Sequence, residues 1–195
     1  AIFSFHPVKN VTTGEGGAVV CNDPVLAERL RQLRHHGIVR HGFRGDLAPT
    51  DAGAPWYHEF HQPATNERLS DLQAALGVSQ CRRLASFRAA RAAVHAHYAQ
   101  ALADLPWLRL PPPAPDQEPC WHLCPVQCDW AQLGLDRRAL FASAHAAGIA
   151  PQVHYIPLHH QPALATAVRA SDLAGADRAY AGLVSLPCHA GLTVT

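Results

Sequence analysis

The 195-residue chain is 48% hydrophobic and 16% charged, and sixteen Lys and Arg against fifteen Asp and Glu leave a formal net charge of +1. That composition supports one or two folded domains, and so small a charge offers no attraction for nucleic acid or an acidic membrane surface. No apolar run reaches the roughly eighteen residues of a bilayer-spanning helix, and neither a Met nor a secretory leader precedes Ala1-Ile2-Phe3-Ser4-Phe5, so a piece of a longer, cytoplasmic protein is expected.

Residues 1–21 read as two short strands, Ala1 to Phe5 and Ala18 to Cys21, joined by the glycine-bearing loop Thr12-Thr13-Gly14-Glu15-Gly16-Gly17. Asn22-Asp23-Pro24 caps a helix with Leu26, Leu30 and Leu33 at helical spacing, which stops at His36-Gly37. From Val39 to Thr65 no period holds, and scattered Gly and Pro predict a long surface or active-site loop. Ser70 and Gln73 have capping-box spacing, and the Ala-, Leu- and Arg-rich stretch behind them predicts one helix to about Leu105, with Gly77 as its weak point.

Pro106 ends that helix, and Pro111-Pro112-Pro113-Ala114-Pro115 sets off the remainder of the chain, so domains are expected over 1–105 and 106–195. In the second, Cys120 to Cys128 reads as a strand, and Asp136 caps a helix running to about Ala147 and closed by Gly148-Ile149. Gln152 to Ile156 is read as a strand, Pro162 to Arg169 and Asp172 to Val184 as helices, and Ser185-Leu186-Pro187 as an extended piece. With no repeat at a solenoid period, a small mixed α/β unit, incomplete at its end, is the expectation.

Six cysteines and fourteen histidines raise the question of a metal. The densest cluster, Cys120 to Cys128, argues against one: on a strand Cys120 and Cys124 stand about 13 Å apart, and on a helix Pro125 intervenes. No metal site and reduced thiols are expected. The cations say more, because fifteen are Arg and only Lys9 is Lys. An amine can lose its proton and attack a carbonyl, which a guanidinium cannot do.

Lys9 lies in Ser4-Phe5-His6-Pro7-Val8-Lys9, ahead of the Thr12 to Gly17 loop. A lysine that condenses with an aldehyde coenzyme needs a rigid strand end or turn, a hydroxyl nearby can take the coenzyme's phosphate, and glycines permit close backbone approach. This string resembles the active-site lysine motif of the DegT/DnrJ/EryC1/StrS family of pyridoxal-phosphate-dependent sugar aminotransferases. The likeness continues through Leu33-Arg34-His35-His36-Gly37-Ile38, the block from Asn66 to Gly77, and Trp121-His122-Leu123. Pro55 to Glu59, Pro151 to His159 and Ser185-Leu186-Pro187 are similar to the branch that acts on a UDP-4-keto-6-deoxy-N-acetylhexosamine in pseudaminic acid biosynthesis.

The resemblance implies an α/β fold: the end of the large domain of the fold type I (aspartate aminotransferase) PLP-dependent transferases, followed by a small C-terminal α/β domain. It implies that Lys9 forms the Schiff base with pyridoxal 5'-phosphate and moves the proton during transamination, that Ser4 donates to the phosphate, and that Asn66 reaches the phosphate of the other subunit's cofactor with Arg68 in support. The working unit is then a homodimer with a shared cofactor site. His6, His154, Tyr155 and His159 are implied contacts to the nucleotide sugar, with glutamate as amino donor, and Glu15 is expected to bond loop amides. Glu67 stands where the family carries an aromatic residue, which puts the subunit contact in doubt. The family's N-terminal half, with the Asp that pairs with the cofactor ring, is not represented, so this segment alone is expected to bind cofactor poorly and turn over little. The alternative is a noncatalytic remnant acting as a dimerisation or binding module. A metal-dependent hydrolase is a distant third.

Overall fold

The computed structural model describes residues 1–164 and 173–193. It divides into two compact units, Ala1–Arg82 and Arg83–Thr195. Mixed helices and strands make both α/β, and among the described residues no helix is long and apolar enough to cross a membrane.

In the first unit β1 (Ile2–Ser4) pairs antiparallel with β2 (Gly17–Val19), as the two apolar runs predict. The ribbon leaves Ile2 84% exposed. Helix α1 (Pro24–Arg34) starts where Asp23 accepts hydrogen bonds from the Val25 and Leu26 amides, at 2.8 and 3.1 Å. It ends through His36 and Gly37, both at positive φ. A Cβ on Gly37 would come within 2.2 Å of the Gln62 carbonyl, so only glycine fits.

The predicted long loop has structure of its own: β3 (Ile38–Val39) pairs antiparallel with β4 (Glu59–Phe60), and the short α2 (Ala48–Asp51) lies between them in sequence. One carboxylate explains the order. Glu59 accepts from the Arg44 and Gly45 amides (2.7 and 2.8 Å), the Tyr57 hydroxyl (2.6 Å) and His61 Nε2 (2.9 Å). The Tyr57 bond above all, with the backbone and His61 bonds, holds Glu59 down to about 2, while the same bond, burial and the carboxylate charge push Tyr57 up to about 12.

The expected single helix from Ser70 to Leu105 is two, α3 (Asp71–Arg82) and α4 (Leu84–Ala101), with the break at Arg83 rather than Gly77. Gly77 marks a close approach instead: a Cβ there would meet Thr13 Cγ2 at 2.9 Å. The capping box forms as predicted, with Ser70 N donating to Gln73 Oε1 at 3.0 Å and Gln73 N to Ser70 Oγ at 3.3 Å. The boundary between the compact units accordingly falls between Arg82 and Arg83 and not near residue 106, because α4 supplies side chains to the second unit's core.

That core is a three-stranded antiparallel sheet in the order β5 (Leu108–Arg109), β6 (Cys124–Cys128), β7 (Leu183–Leu186). Strand alternation puts Cys124, Val126 and Cys128 on one buried face, and Val126 and Val184 pack with Trp107, Leu110, Trp130, Leu140 and Phe141. Burial pushes the Cys124 thiol up to about 12, which suits a small apolar filler rather than a nucleophile. Strand β6 starts four residues later than predicted because its register pairs Cys124 with Leu186, beyond which Pro187 has no N–H to offer. Pro125 is tolerated because its partner Ser185 exchanges both backbone bonds with Gln152, at 3.0 and 2.7 Å.

Arg91 on α4 is buried and donates to the His122 and Cys188 carbonyls, at 3.1 and 2.6 Å, while Tyr98 donates to the Pro187 carbonyl at 3.1 Å. Asp129 caps α5 (Trp130–Leu133) and Asp136 caps α6 (Arg137–Ala146). Of the strand expected from Gln152 to Ile156 only Gln152 bridges, since Pro151 and Pro157 bracket it and supply no donors. The helix expected over Asp172 to Val184 is α7 (Ala174–Gly182), with Asp172 outside the described residues. Leu183 and Val184 instead open β7, at the point where a Cβ on Gly182 would collide with Gln127 and the Cys128 carbonyl. Of Pro162 to Arg169, residues Pro162–Leu164 form a 3-10 turn and the rest lie outside the described residues.

Candidate functional site

Lys9 sits partly buried in the turn that leaves β1, with its amide donating to the His6 carbonyl at 2.9 Å. The turn is tied to its return strand by backbone bonds from Phe5 N to Gly16 O (2.9 Å) and Thr13 N to Phe5 O (3.0 Å). Thr12 and Thr13 reinforce it from their side chains. Thr12 Oγ1 donates to the Phe5 carbonyl and accepts from Gly14 N, at 3.0 and 2.9 Å, and the buried Thr13 hydroxyl donates to the Glu15 carbonyl at 2.8 Å. The threonines, not the Glu15 side chain, therefore bond the loop's backbone groups. The Glu15 carboxylate lies 3.8 Å from His6 Nε2.

Ser4 Oγ accepts from His6 N at 3.4 Å, and His6 Nδ1 accepts from Val8 N at 3.4 Å. Ser4, His6 and Lys9 thus share one turn. A hydroxyl, an imidazole and a primary amine on a segment so pinned can hold a ligand carrying a carbonyl at one end and an anion at the other.

The Asn66 block is brought to the same loop. Gln73 Nε2 donates to the Glu15 carbonyl at 2.9 Å, and a Cβ on Gly16 would sit 2.9 Å from Leu69 Cδ1, the residue next to Arg68. Asn66 Oδ1 accepts from Arg68 N at 3.2 Å, and Asn66 bridges His35 across an antiparallel pair. The Arg68 guanidinium contacts His35 Nδ1. Burial first, then the charges of Arg68, His36, Arg40 and Arg34, lower the His35 pKa. Backbone bonds from His36 N to Thr65 O and Glu67 N to Arg34 O, each 2.9 Å, lock the end of α1 to the block. Asn66 and Arg68 are both exposed.

The three sites implied farther along the chain lie in the second unit. Tyr155 is 66% exposed, His154 packs edge-on against its ring at 4.7 Å between centroids, and His159 is turned to Asp177, 2.7 Å away. The Tyr57-Glu59-His61 node had no signal beyond the run of aromatic and acidic residues at 56–61, and the grouping of His159, His160 and Asp177 had none in spacing.

Compared with known proteins, residues 1–195 match the model of the DegT/DnrJ/EryC1/StrS aminotransferase family. The fold is similar to that of Helicobacter pylori PseC, an aminotransferase involved in the biosynthesis of pseudoaminic acid, at a TM-score of 0.84 and 30% identity over 99% of this chain and 48% of that one. S. venezuelae DesV, solved in complex with a ketimine intermediate, matches at 0.79 and 36% over 99% and 47%. A Streptococcus pneumoniae sugar aminotransferase homologue, Spr1654 in its PLP form, matches at 0.80 and 26% over 98% and 47%. The chain spans about half the length of each of these proteins.

Proposed function

The chain belongs to the DegT/DnrJ/EryC1/StrS aminotransferase family, and from that premise we propose that it carries the lysine half of a pyridoxal-phosphate-dependent sugar aminotransferase. The observation that supports this best is that Lys9, the sole lysine, stands on a turn fixed by Phe5, Thr12, Thr13 and Gly16, three residues from the His6 carbonyl that takes its amide. The donor set fits the coenzyme: a primary amine for its aldehyde, and the Ser4 hydroxyl on the same turn for its phosphate. Bound there, pyridoxal phosphate supplies the electron sink that lets an amino group pass between carbons.

The chain's own residues do the rest. Lys9 would hold the coenzyme through its primary amine and would carry the proton at the reacting carbon. Ser4 holds the phosphate. Asn66 and Arg68, exposed beside the α1 terminus, complete the corresponding site of a second copy, which makes the active form a homodimer. His6, on the same turn as Lys9, and Tyr155 and His154 are the sugar contacts in this reading. The substrate proposed is the 4-keto carbon of a UDP-4-keto-6-deoxy-N-acetylhexosamine, with glutamate as donor, in line with the 30% identity to a pseudaminic acid enzyme.

The test is borohydride reduction of the pyridoxal-phosphate adduct, on the polypeptide carrying this chain and whatever precedes it, followed by peptide mapping. A pyridoxyl label on Lys9, lost in Lys9→Ala together with the visible absorption band, is expected. A label elsewhere, or none, would overturn the proposal, and absence of label would favour a binding module.

A further inference from the structure

Among the described residues the second unit holds a convergent group of imidazoles and a carboxylate that the proposed transamination does not use. His159 and His160 follow one another on the 3-10 turn Leu158–His160, and Asp177 lies on α7. Both imidazoles turn to one oxygen: His159 Nε2 and His160 Nε2 each lie 2.7 Å from Asp177 Oδ1. Adjacent residues of an extended chain point to opposite faces. Here the tight turn brings the two rings to 4.3 Å between centroids and 39° between planes. The three ligand atoms all lie within 4.8 Å of one another.

We propose that His159, His160 and Asp177 form a binding site for a single divalent transition ion of the zinc class, seated between the Leu158–His160 turn and α7. Two imidazole nitrogens and a carboxylate oxygen are a donor set that such ions prefer over magnesium or calcium, which demand oxygen ligands. The geometry is close to what coordination needs. With bonds of about 2.0 to 2.1 Å, tetrahedral ligand atoms stand roughly 3.3 Å apart, so each 2.7 Å contact must open by only about 0.6 Å.

The burial is divided in the way that permits this. The His159 side chain is 8% exposed and serves as the fixed anchor. The His160 and Asp177 side chains are 50% and 47% exposed, so they are free to adjust, and water can complete the coordination. On binding, each ring offers its Nε2 lone pair to the ion with a proton carried on Nδ1, and Asp177 exchanges its contacts with the two rings for one bond to the ion. The ion then cross-links two elements of the second unit through three side chains.

The probe is Co2+, titrated into the untagged 195-residue chain and followed by visible absorption. One equivalent should saturate, giving ligand-field bands without the near-ultraviolet thiolate-to-cobalt band that a cysteine site would produce. His160→Ala, half-exposed and therefore tolerant of truncation, and Asp177→Asn should each weaken binding by about tenfold or more, while His97→Ala, at an exposed histidine of α4, should leave it unchanged. Non-saturating uptake, a thiolate band, or equal affinity in wild type and His160→Ala would overturn the site. Circular dichroism of each variant shows whether a loss reflects unfolding, and should Asp177→Asn unfold, His160→Ala decides.

Discussion

The two units invest their side chains differently. In residues 1–82 Val39 is the only buried apolar side chain, and the lysine loop is held by hydroxyl-to-backbone hydrogen bonds and by the packing of Leu69, Gln73 and Gly77 against it. In the second unit Cys124, Val126 and Val184 are almost wholly hidden, and α4 adds Val94, Arg91 and His95. Burial of apolar area is the main favourable term in folding, whereas net hydrogen-bond gains are modest. Within these residues, apolar burial therefore carries more of the second unit's stability and polar bonds more of the first's. Lys9, Ser4, Asn66 and Arg68 all lie in the unit whose surface is open.

The contrast breaks most readily at Arg91. Its guanidinium reaches two carbonyls from separate segments, at His122 and Cys188, from a position 7% exposed. Arg91→Ala leaves those acceptors without this charged donor and opens a space in the core, a loss of about 3 kcal/mol. Denaturant unfolding followed by tryptophan fluorescence measures it, since Trp107, Trp121 and Trp130 lie in the second unit and only Trp56 in the first. An unchanged midpoint would mean that the sheet does not carry the stability.

The first unit's weak dependence on a core makes its polar node the next place to press. Glu59 has a folded pKa of about 2, below its ordinary 4.5, so its contribution is complete above 4.5 and is lost as pH falls through about 2. Tyr57, raised from 10.0 to about 12, contributes fully below 10 and loses that contribution as pH rises through about 12. Glu59→Gln should flatten the acid limb of the first unit's unfolding between pH 4.5 and 2 and leave the second unit's limb in place. Amide exchange at Arg44 and Gly45, whose N–H groups the carboxylate accepts, is the measurement. Acid limbs that coincide in wild type and variant would remove Glu59 as the organiser of residues 39–65.

How much of this was legible depended on whether the signal was local. Caps at Asp23, Ser70 and Asp136 and the αL closure at Gly148 rest on residues within four positions of each other, and they stand where the sequence puts them. The lysine motif is equally local and carried the family with it. What the sequence hid was set across the chain. Strand β6 starts late because its partner at one register is Pro187, Gly77 is small because Thr13 approaches it, and the order in 39–65 depends on a carboxylate gathering donors from residues as far as fifteen positions away. The break at Arg83 has no proline or glycine to announce it. His159, His160 and Asp177 meet only because a turn and a helix do.

The smallest expected effect compares like with like. Asp23 and Asp136 cap α1 and α6 through the same kind of bond, the side-chain oxygen accepting from an amide two or three residues on, at 2.8 Å in each case. Replacing either by Ala removes about 1 kcal/mol of helix stability, yet the loss should register differently. Helix α6 packs Leu140 and Phe141 into the hydrophobic cluster, so its fraying is coupled to the sheet and Asp136→Ala should lower the second unit's unfolding midpoint. Helix α1, which like α6 has no fully buried residue, contributes nothing to that cluster, so Asp23→Ala should instead open the first turn locally. Faster amide exchange at Val25, Leu26 and Ala27 would report that opening, with no shift in any cooperative transition. If Asp23→Ala moves a midpoint as far as Asp136→Ala does, the first unit possesses a cooperative core after all, and the stability assigned to apolar burial in the second must be shared between them.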